Sequence, residues 1–282
     1  MIYLSKQEKR RAFWLNISAI LICILFLFPI YWLVVTSLKT EGEIFRTPPT
    51  LFPLKITFDT YATQLFGKQY NMFEAFMNSA IIAVGTLVLS TLLSIPASYG
   101  LARFRIPGMQ LFILLFLVTQ MMPSSLILTP LFIAFKHLHL NNTYLAPILA
   151  DATIAIPFSV MILRTYFITL PKELEDSAKI DGCNTITTFL RIMLPIAIPG
   201  VVVAMVFSFL FGWGDLVFAL TFLSDTHKQP FTAGIFNFLG YQGISWNNIM
   251  AFGTISIIPV VLIFVFIQKY IVSGLTGGAI KG

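Results

Sequence analysis

Charged side chains are scarce in this chain of 282 residues, of which they make up only 11%. Soluble globular proteins carry about 25% charged residues. Apolar residues, with tyrosine and cysteine counted among them, make up 57% of the sequence, and the mean hydropathy is +0.86. This balance excludes a cytosolic enzyme and a disordered chain, because each needs far more polar residues. It predicts a protein whose main solvent is lipid.

Cysteine and histidine are nearly absent as well. Cys23 and Cys183 lie far apart, and neither has a neighbour in a metal-binding spacing, which argues against a disulfide framework and a zinc site. All three histidines, His137, His139 and His227, lie between the apolar runs, so no Ser/His pair of an intramembrane hydrolase is predicted. A surface position explains the His137 and His139 pair better than a metal site, because no third ligand is near it in the sequence.

Two further absences concern nucleotides. The sequence has no G-x-x-x-x-G-K-[ST] phosphate loop, so the chain is not expected to bind ATP, and any energy must come from a partner or an ion gradient. Its net charge of +6 is not arranged as a basic stripe with interleaved aromatic residues, so no nucleic acid partner is expected.

Long apolar runs are what the sequence has in abundance. A helix needs about 20 apolar residues to cross a bilayer, and six segments meet this requirement. The predicted spans cover residues 12–38, 75–101, 108–133, 143–167, 196–222 and 249–272. The predicted fold is therefore all-α, a polytopic membrane protein with six transmembrane helices in a single domain over residues 1–282.

Lysine and arginine are divided unequally between the two sets of connections. Twelve of the 18 lie at or near the termini and in or beside the connections that follow the second and fourth spans, and six lie in the other connections. Because cytoplasmic loops carry the excess of positive charge, both termini are predicted to be cytoplasmic. The basic residues before the first span resemble the start of a signal peptide, but the apolar run is too long and no A-x-A site follows, so we expect it to remain as an anchor.

The most structured polar connection is segment 171–195, between the fourth and fifth spans. Pro171 suits a first helical turn, and Gly182 can adopt the left-handed conformation that ends a helix. We therefore predict a short helix of about ten residues. Asn184 can cap a second helix that runs through Met193 and ends at Pro195.

The first of these helices has two distinct faces at helical spacing. A face of mostly small residues allows another surface to approach closely, whereas a charged face favours water. The first face consists of Leu174, Ser177, Ala178 and Asp181, and the opposite face of Lys172, Glu175 and Lys179.

Segment 171–195 also resembles a known motif. Asp176–Ala178, Gly182 and Ile192–Pro195 match the "EAA...G.........I.LP" loop of ABC importer permeases, and residues 174–182 are similar to its carbohydrate-importer version. The resemblance covers nearly the whole chain and is closest to the second, six-span permease of maltose-type oligosaccharide importers. Further matches lie at Asn78-Ser79, Tyr99–Arg103, Met122-Pro123, Pro130-Leu131, Asn142-Thr143, Pro157-Phe158 and the tail Ser273–Gly282.

Two positions depart from the family pattern. The Glu-Ala-Ala core is Asp176–Ala178 here, which keeps the negative charge and the small side chains. After Trp213 the family usually has an asparagine and then an acid, whereas this chain has Gly214 and Asp215. The coupling role is little affected by these changes, but the pore lining at Gly214 is left open.

The resemblance implies a subunit of an ATP-driven sugar importer in a bacterial or archaeal cytoplasmic membrane. The chain would form half of the translocation pathway in the bilayer, beside a second permease subunit. A cytoplasmic ATPase dimer would bind ATP and Mg, an external sugar-binding protein would deliver the sugar, and this chain would bind no cofactor and catalyse no reaction. The resemblance assigns ATPase coupling, through a cytoplasmic coupling helix, to Leu174, Glu175, Asp176, Ser177, Ala178, Asp181 and Gly182.

Polar residues within the spans leave alternatives open. A carboxylate at membrane depth costs about 2.5 to 3.5 kcal/mol on insertion scales, so Asp215 is expected either to line the pathway or to make a structural contact with the partner permease. Asn78 is assigned the same two alternatives. Asp151 lies nearer the end of its span, which favours a solvated interface position. The alternative function for the whole chain is a gradient-driven secondary transporter or channel for a small solute, but no internal repeat supports it.

Overall fold

The computed structural model describes residues 6–65, 71–240 and 243–276, which separate into two compact units. The first unit comprises Met1–Gly67 and Phe238–Ile257, and the second comprises Lys68–Asn237 and Ile258–Gly282. Regular structure in the described residues is helical apart from one antiparallel pair of two-residue strands, β1 (Leu239–Gly240) and β2 (Gly243–Ile244). The predicted all-α class is confirmed.

Among its described residues, the first unit contains three α-helices and the beginning of a fourth. These are α1 (Lys6–Ser37), α2 (Glu41–Ile44), α3 (Asp59–Leu65) and the first turns of the long helix α14 (Trp246–Thr276). The most apolar stretch of α1 is 0% buried within the chain, so lipid or another subunit must cover it.

The polar connection that follows α1 is organised around Glu43. Its carboxylate accepts hydrogen bonds from the Thr50 hydroxyl at 2.7 Å and from the Leu54 amide at 2.8 Å. These donors, the Thr50 hydroxyl first, hold the pKa of Glu43 below its ordinary value. The connection is therefore ordered by its own contacts.

The second unit contains the remaining described helices. The longer ones are α4 (Met72–Arg103), α5 (Met109–Met121), α6 (Ser124–His137), α7 (Leu145–Thr169) and α11 (Ile198–Gly214). The shorter ones are α8 (Glu173–Ile180), α9 (Thr185–Thr188), a π-helical turn (Phe189–Met193), α10 (Leu194–Ile196), α12 (Val217–Phe222), a 3-10 turn (Thr226–Lys228) and α13 (Phe231–Gly234).

Helices α4, α7 and α11 pack closely against one another because small residues lie where they meet. A Cβ atom added at Gly212 of α11 would lie 2.9 Å from the Cα atom of Ala83 on α4. One added at Gly85 of α4 would lie 2.5 Å from the side chain of Ile148 on α7. Neither glycine can be enlarged without moving a neighbour.

Buried serines extend these contacts along α4. The hydroxyls of Ser90 and Ser98 donate to carbonyls of their own helix, at Thr86 and Ile95. Ser94 instead donates to the Ile156 carbonyl of α7 at 3.3 Å. Between α7 and α11, the hydroxyls of Ser159 and Ser208 lie 3.0 Å apart.

The number of spans depends on how bent segments are counted. Among the described residues, four helical segments are each long and apolar enough to cross a membrane: Arg10–Ser37, Met72–Arg103, Leu145–Thr169 and Trp246–Gln268. If each of two bent helix pairs is also counted as one span, the number is six. The predicted span 108–133 is one such pair, since α5 and α6 differ in direction by 101° around Met122 and Pro123. Pro123 disfavours helical geometry at the residue before it, which explains the break.

The other bent pair lies at the predicted span 196–222. The helical segment Thr185–Ile196 and helix α11 differ in direction by 77°, with Pro199 in the first turn of α11. Helix α11 then ends at Gly214, before the predicted limit, because Asp215 caps the separate helix α12. The hydropathy of the sequence reveals neither the bend before α11 nor the end of α11, because the residues on both sides of each are apolar.

Candidate functional site

Helix α8 is short and sharply terminated, as the sequence predicts. It covers eight residues, and three acidic residues lie in its first turn, where the helix dipole favours negative charge. Gly182 follows it with a φ of +80°, and the amide of Cys183 donates to the Ala178 carbonyl at 2.9 Å, which closes the helix end. The predicted roles of Gly182 as a helix stop and of Asn184 as the next cap are confirmed, since Asn184 accepts from the Thr187 amide at 2.8 Å.

The predicted small-residue face of α8 is divided by the packing. Ala178 is buried within this chain, and Leu174 packs against a cluster around Tyr99 and Phe167. Ser177 and Asp181 remain exposed to possible partners. Leu174 and Ala178 therefore pack within this chain, whereas Ser177 and Asp181 are available to another surface.

The prediction that Glu175 lies on the outward charged face is wrong. Its Oε1 atom lies 2.8 Å from Nε of Arg103, and the two side chains are only 13% and 4% exposed. Arg103 also donates from Nη2 to the Leu170 carbonyl, at the end of α7, over 2.8 Å. The reason is that α8 lies beside the C-terminal end of α4, where Arg103 would otherwise be a buried unpaired charge. Arg103 is a site residue that the sequence analysis missed, although it lies in the matched run Tyr99–Arg103.

The segment after Lys179 exposes large apolar side chains. Ile180 is 87% exposed, Ile186 is 69% exposed and Leu190 is 52% exposed. Large apolar side chains exposed within a polar segment are candidate contacts for another surface. We call these three residues, with the exposed Asp176, Ser177 and Asp181, the coupling surface.

Asp215 acts as a helix cap within this chain. Its carboxylate accepts from the amide of Phe218 at 3.2 Å and from the amide of Ala219 at 2.8 Å. The Thr232 hydroxyl donates to the main-chain carbonyl of Asp215. These contacts explain why an acid can lie between two apolar helices.

Asn78 is also engaged within its own chain, and it is only 5% exposed. Its side-chain NH2 donates to the carbonyls of His227 at 2.8 Å and Gln229 at 3.0 Å, and its Oδ1 accepts from the Tyr144 hydroxyl at 2.7 Å. Asn78 therefore ties the beginning of α4 to the connection 223–230 and to the beginning of α7. The distribution of lysine and arginine predicts that connection 223–230 lies on the outer side of the membrane, and we call it the outer connection.

The expectation of a solvated interface position for Asp151 is wrong. Its side chain is 3% exposed, and Oδ2 has no hydrogen-bond partner among the described residues. The reason is that α7 is the most enclosed of the candidate spans, with 56% of its apolar window buried.

A cavity of about 250 Å³ lies at the bend between α5 and α6. Apart from two threonines its lining is apolar, and the hydroxyls of Thr119 and Thr153 donate to carbonyls of their own helices. A sugar site needs several convergent polar groups. This cavity therefore does not fit a carbohydrate.

Known proteins are similar to this chain in sequence and in fold. Residues 90–277 match the family described as the binding-protein-dependent transport system inner membrane component. A diacetylchitobiose uptake system permease protein, DasC of Streptomyces coelicolor, is 31% identical over 95% of this chain and 97% of its own length. A trehalose/maltose transport system permease protein, MalG of Thermococcus litoralis, is 34% identical over 98% of this chain and 99% of its own length.

A solved structure gives the same fold. A chain of a bacterial ABC transporter involved in the import of the acidic polysaccharide alginate matches with a TM-score of 0.78 and 20% identity, over 96% of this chain and 99% of the other. The helical architecture is that of a membrane transport subunit. The chain belongs to the family of inner membrane components of binding-protein-dependent transport systems, whose members include permease subunits of ABC transporters.

The capping role of Asp215 and a role that needs its charge can be separated by two substitutions. Asparagine retains a cap acceptor, so Asp215→Asn should keep transport near the wild-type level, whereas Asp215→Leu should lose a cap that is typically worth about 1 kcal/mol and lower transport. Uptake should be compared at equal abundance of the chain in membranes. An Asp215→Asn variant as impaired as Asp215→Leu would show that the charge itself is needed.

The outer connection also contains a pH-dependent contact. His227 Nδ1 lies 3.0 Å from Glu74 Oε2, and this hydrogen bond raises the pKa of His227 above its ordinary 6.5. The pKa of His227 is higher in the folded chain than in the unfolded chain. The contact therefore contributes its full stabilisation of the fold below the unfolded-state pKa, and this stabilisation is lost as the pH rises through the folded-state pKa.

Glu74→Gln should therefore lower the pKa of His227, as followed by NMR titration of labelled histidine. Glu173→Gln, which changes an acid on α8, is the matched control and should leave the titration unchanged. A His227 pKa that is the same with and without Glu74 would contradict the ion pair.

Proposed function

We propose that this chain is the membrane-spanning permease subunit of an ATP-driven carbohydrate importer. In this role it forms half of the translocation pathway and couples ATP hydrolysis by a partner ATPase to the import of a sugar. The observation that supports carbohydrate as the substrate class is the near full-length similarity to permeases named for diacetylchitobiose and for trehalose and maltose. The chain itself catalyses no reaction.

The proposed partners are a second permease, a cytoplasmic ATPase dimer that binds ATP and Mg, and an external sugar-binding protein. The coupling surface is the proposed docking site of the ATPase. Its exposed Ile180 and Ile186 would be buried by an apolar surface of a partner, and the exposed carboxylates of Asp176 and Asp181 could pair with basic residues of the same partner. Leu174, Glu175, Ala178 and Gly182 set the orientation of α8 rather than contacting the ATPase. Asn78 and Asp215 are proposed to shape the pathway through their contacts within this chain.

The proposed orientation puts both termini and α8 in the cytoplasm, as the distribution of lysine and arginine favours. Single cysteines at Thr50 and Asp225, in a background without Cys23 and Cys183, should then react with an impermeant thiol reagent added outside intact cells. A cysteine at Lys179 should react only after the cells are permeabilised. Labelling of the Lys179 position from outside would invert the proposed topology.

Reconstitution tests the function directly. Vesicles that contain this chain, its second permease, the ATPase and a binding protein loaded with trehalose, maltose or diacetylchitobiose should import the sugar only with hydrolysable ATP. A non-hydrolysable ATP analogue and vesicles with this chain alone are the matched controls. Uptake by the chain alone under a proton or sodium gradient would instead establish the secondary transporter.

A further inference from the structure

The Arg103–Glu175 ion pair differs from the other charged contacts of α8. Lys179 and Asp176 also form an ion pair, at 3.1 Å, but its side chains are 64% and 68% exposed and both belong to α8. Arg103 and Glu175 are nearly enclosed and join two elements that are far apart in the sequence.

Stability alone does not account for an enclosed ion pair. Replacing such a pair with apolar residues of similar size is often neutral or stabilising, because the charges no longer have to leave water. Apolar packing already holds α8 in place, since Leu174 packs on the Tyr99 cluster and Ala178 is buried. What the ion pair adds is a direct electrostatic link between α8 and α4, since Arg103 Nε and Glu175 Oε1 lie 2.8 Å apart without the geometry of a hydrogen bond.

Helix α4 connects this inner contact with the outer connection. It covers 32 residues, which corresponds to about 48 Å of helix. Arg103 lies in its last turn, and Asn78, near its beginning, donates to His227 and Gln229 of the outer connection. A displacement of α8 that moves Arg103 therefore acts on a helix whose other end holds the outer connection.

We infer that Arg103 and Glu175 are positioning residues that transmit movement of α8 to α4, and through Asn78 to the outer connection. The inference rests on the proposed function, because it takes the ATPase as the source of the movement. It assigns to Arg103 a role in energy coupling beyond holding the subunit together.

A double-mutant cycle in the complete reconstituted transporter tests this inference. The variants are Arg103→Met, Glu175→Leu and the two combined, with Lys179→Ala as an exposed control. The measured quantity is sugar imported per ATP hydrolysed. Each single variant should lower this ratio at least about tenfold, and the combined variant should be no lower than the singles, since all three remove the same link.

The combined variant separates the two roles of the pair. If the pair only holds α8 in place, an apolar pair should restore the wild-type ratio, because packing suffices for that role. A restored ratio would overturn the inference, and so would single effects that simply add. The combined variant carries no unpaired charge, so it remains informative where a single variant fails to assemble.

A spectroscopic measurement is independent of the transported solute. A nitroxide at Thr226→Cys, with Cys23 and Cys183 replaced by serine, reports the mobility of the outer connection. Adding ATP to the complex should change this mobility in the otherwise wild-type chain but not in the combined variant. An unchanged signal in the wild-type chain, or an ATP response in the combined variant, would overturn the inference. Failed uptake of every tested sugar by the wild-type transporter would instead overturn only the proposed function.

Discussion

Replacing Gly182 with valine should abolish coupled uptake while the chain stays in the membrane at normal abundance. Gly182 has a φ of +80°, and no heavy atom lies within 4 Å of the position that a Cβ would take. The effect therefore comes from the backbone alone. The left-handed region costs an L-residue about 1 to 2 kcal/mol, and a β-branched residue is a genuine outlier there. Relieving this strain would redirect the chain between α8 and the cap Asn184, and with it the coupling surface.

Asparagine at the same position is the matched control, because it tolerates the left-handed conformation far better than valine. Gly182→Asn should retain most of the ATP-driven uptake of reconstituted vesicles, and immunoblots of membranes should show equal amounts of both variants. Full uptake by Gly182→Val, or equal loss in both variants, would mean that the backbone conformation after α8 is not what coupling requires.

Gly212→Ala is expected to have the largest effect on stability. The added methyl group would lie 2.9 Å from the Ala83 Cα atom and 3.0 Å from the Thr86 hydroxyl oxygen, so α4 and α11 would have to move apart. Overpacking of this kind costs about 1 to 3 kcal/mol, and here backbone rather than a flexible side chain must yield. The temperature of unfolding of the purified complex, followed by tryptophan fluorescence, should fall clearly.

The same helix provides the control for this substitution. Gly214 lies two residues further along α11, and nothing lies within 4 Å of its added Cβ. Gly214→Ala should therefore leave the unfolding temperature unchanged or raise it, since alanine favours helix over glycine by about 1 kcal/mol. Similar unfolding temperatures for the two alanine variants would contradict the close approach of α4 and α11.

Local signals in the sequence were enough to predict the end of α8 and the beginning of α9, but not the π-helical turn that follows α9 at Phe189–Met193. Gly182 and Asn184 act through their own backbone and nearest neighbours, so their roles do not depend on the rest of the fold. The all-α class could also be predicted from the sequence, because apolar runs long enough to span a membrane form helices. The family resemblance then followed from the spacing of the loop residues.

The side of α8 that faces inward could not be predicted in this way. The periodicity of the sequence defines two faces, but it does not show that this chain buries Ala178 or that Glu175 pairs with Arg103, which is distant in the sequence. A large residue at Ala178 would therefore disturb this chain's own packing before it reached the ATPase. The bends escaped prediction for a related reason, since Pro123 and Pro199 accompany changes of backbone direction without changing the hydropathy of their surroundings.

The hydroxyl groups along α4 have a consequence for the kinetics of conformational change. Ser90 and Ser98 satisfy their hydrogen bonds within α4, so these bonds travel with the helix when it moves along its axis. Ser94, which lies between them, donates to the Ile156 carbonyl of α7, so this hydrogen bond must break in such a movement. Ile148 of α7 also fills the space beside Gly85 and opposes sliding. The rate of an axial movement of α4 is therefore set by these contacts with α7 as well as by Arg103 and Asn78 at the two ends of the helix.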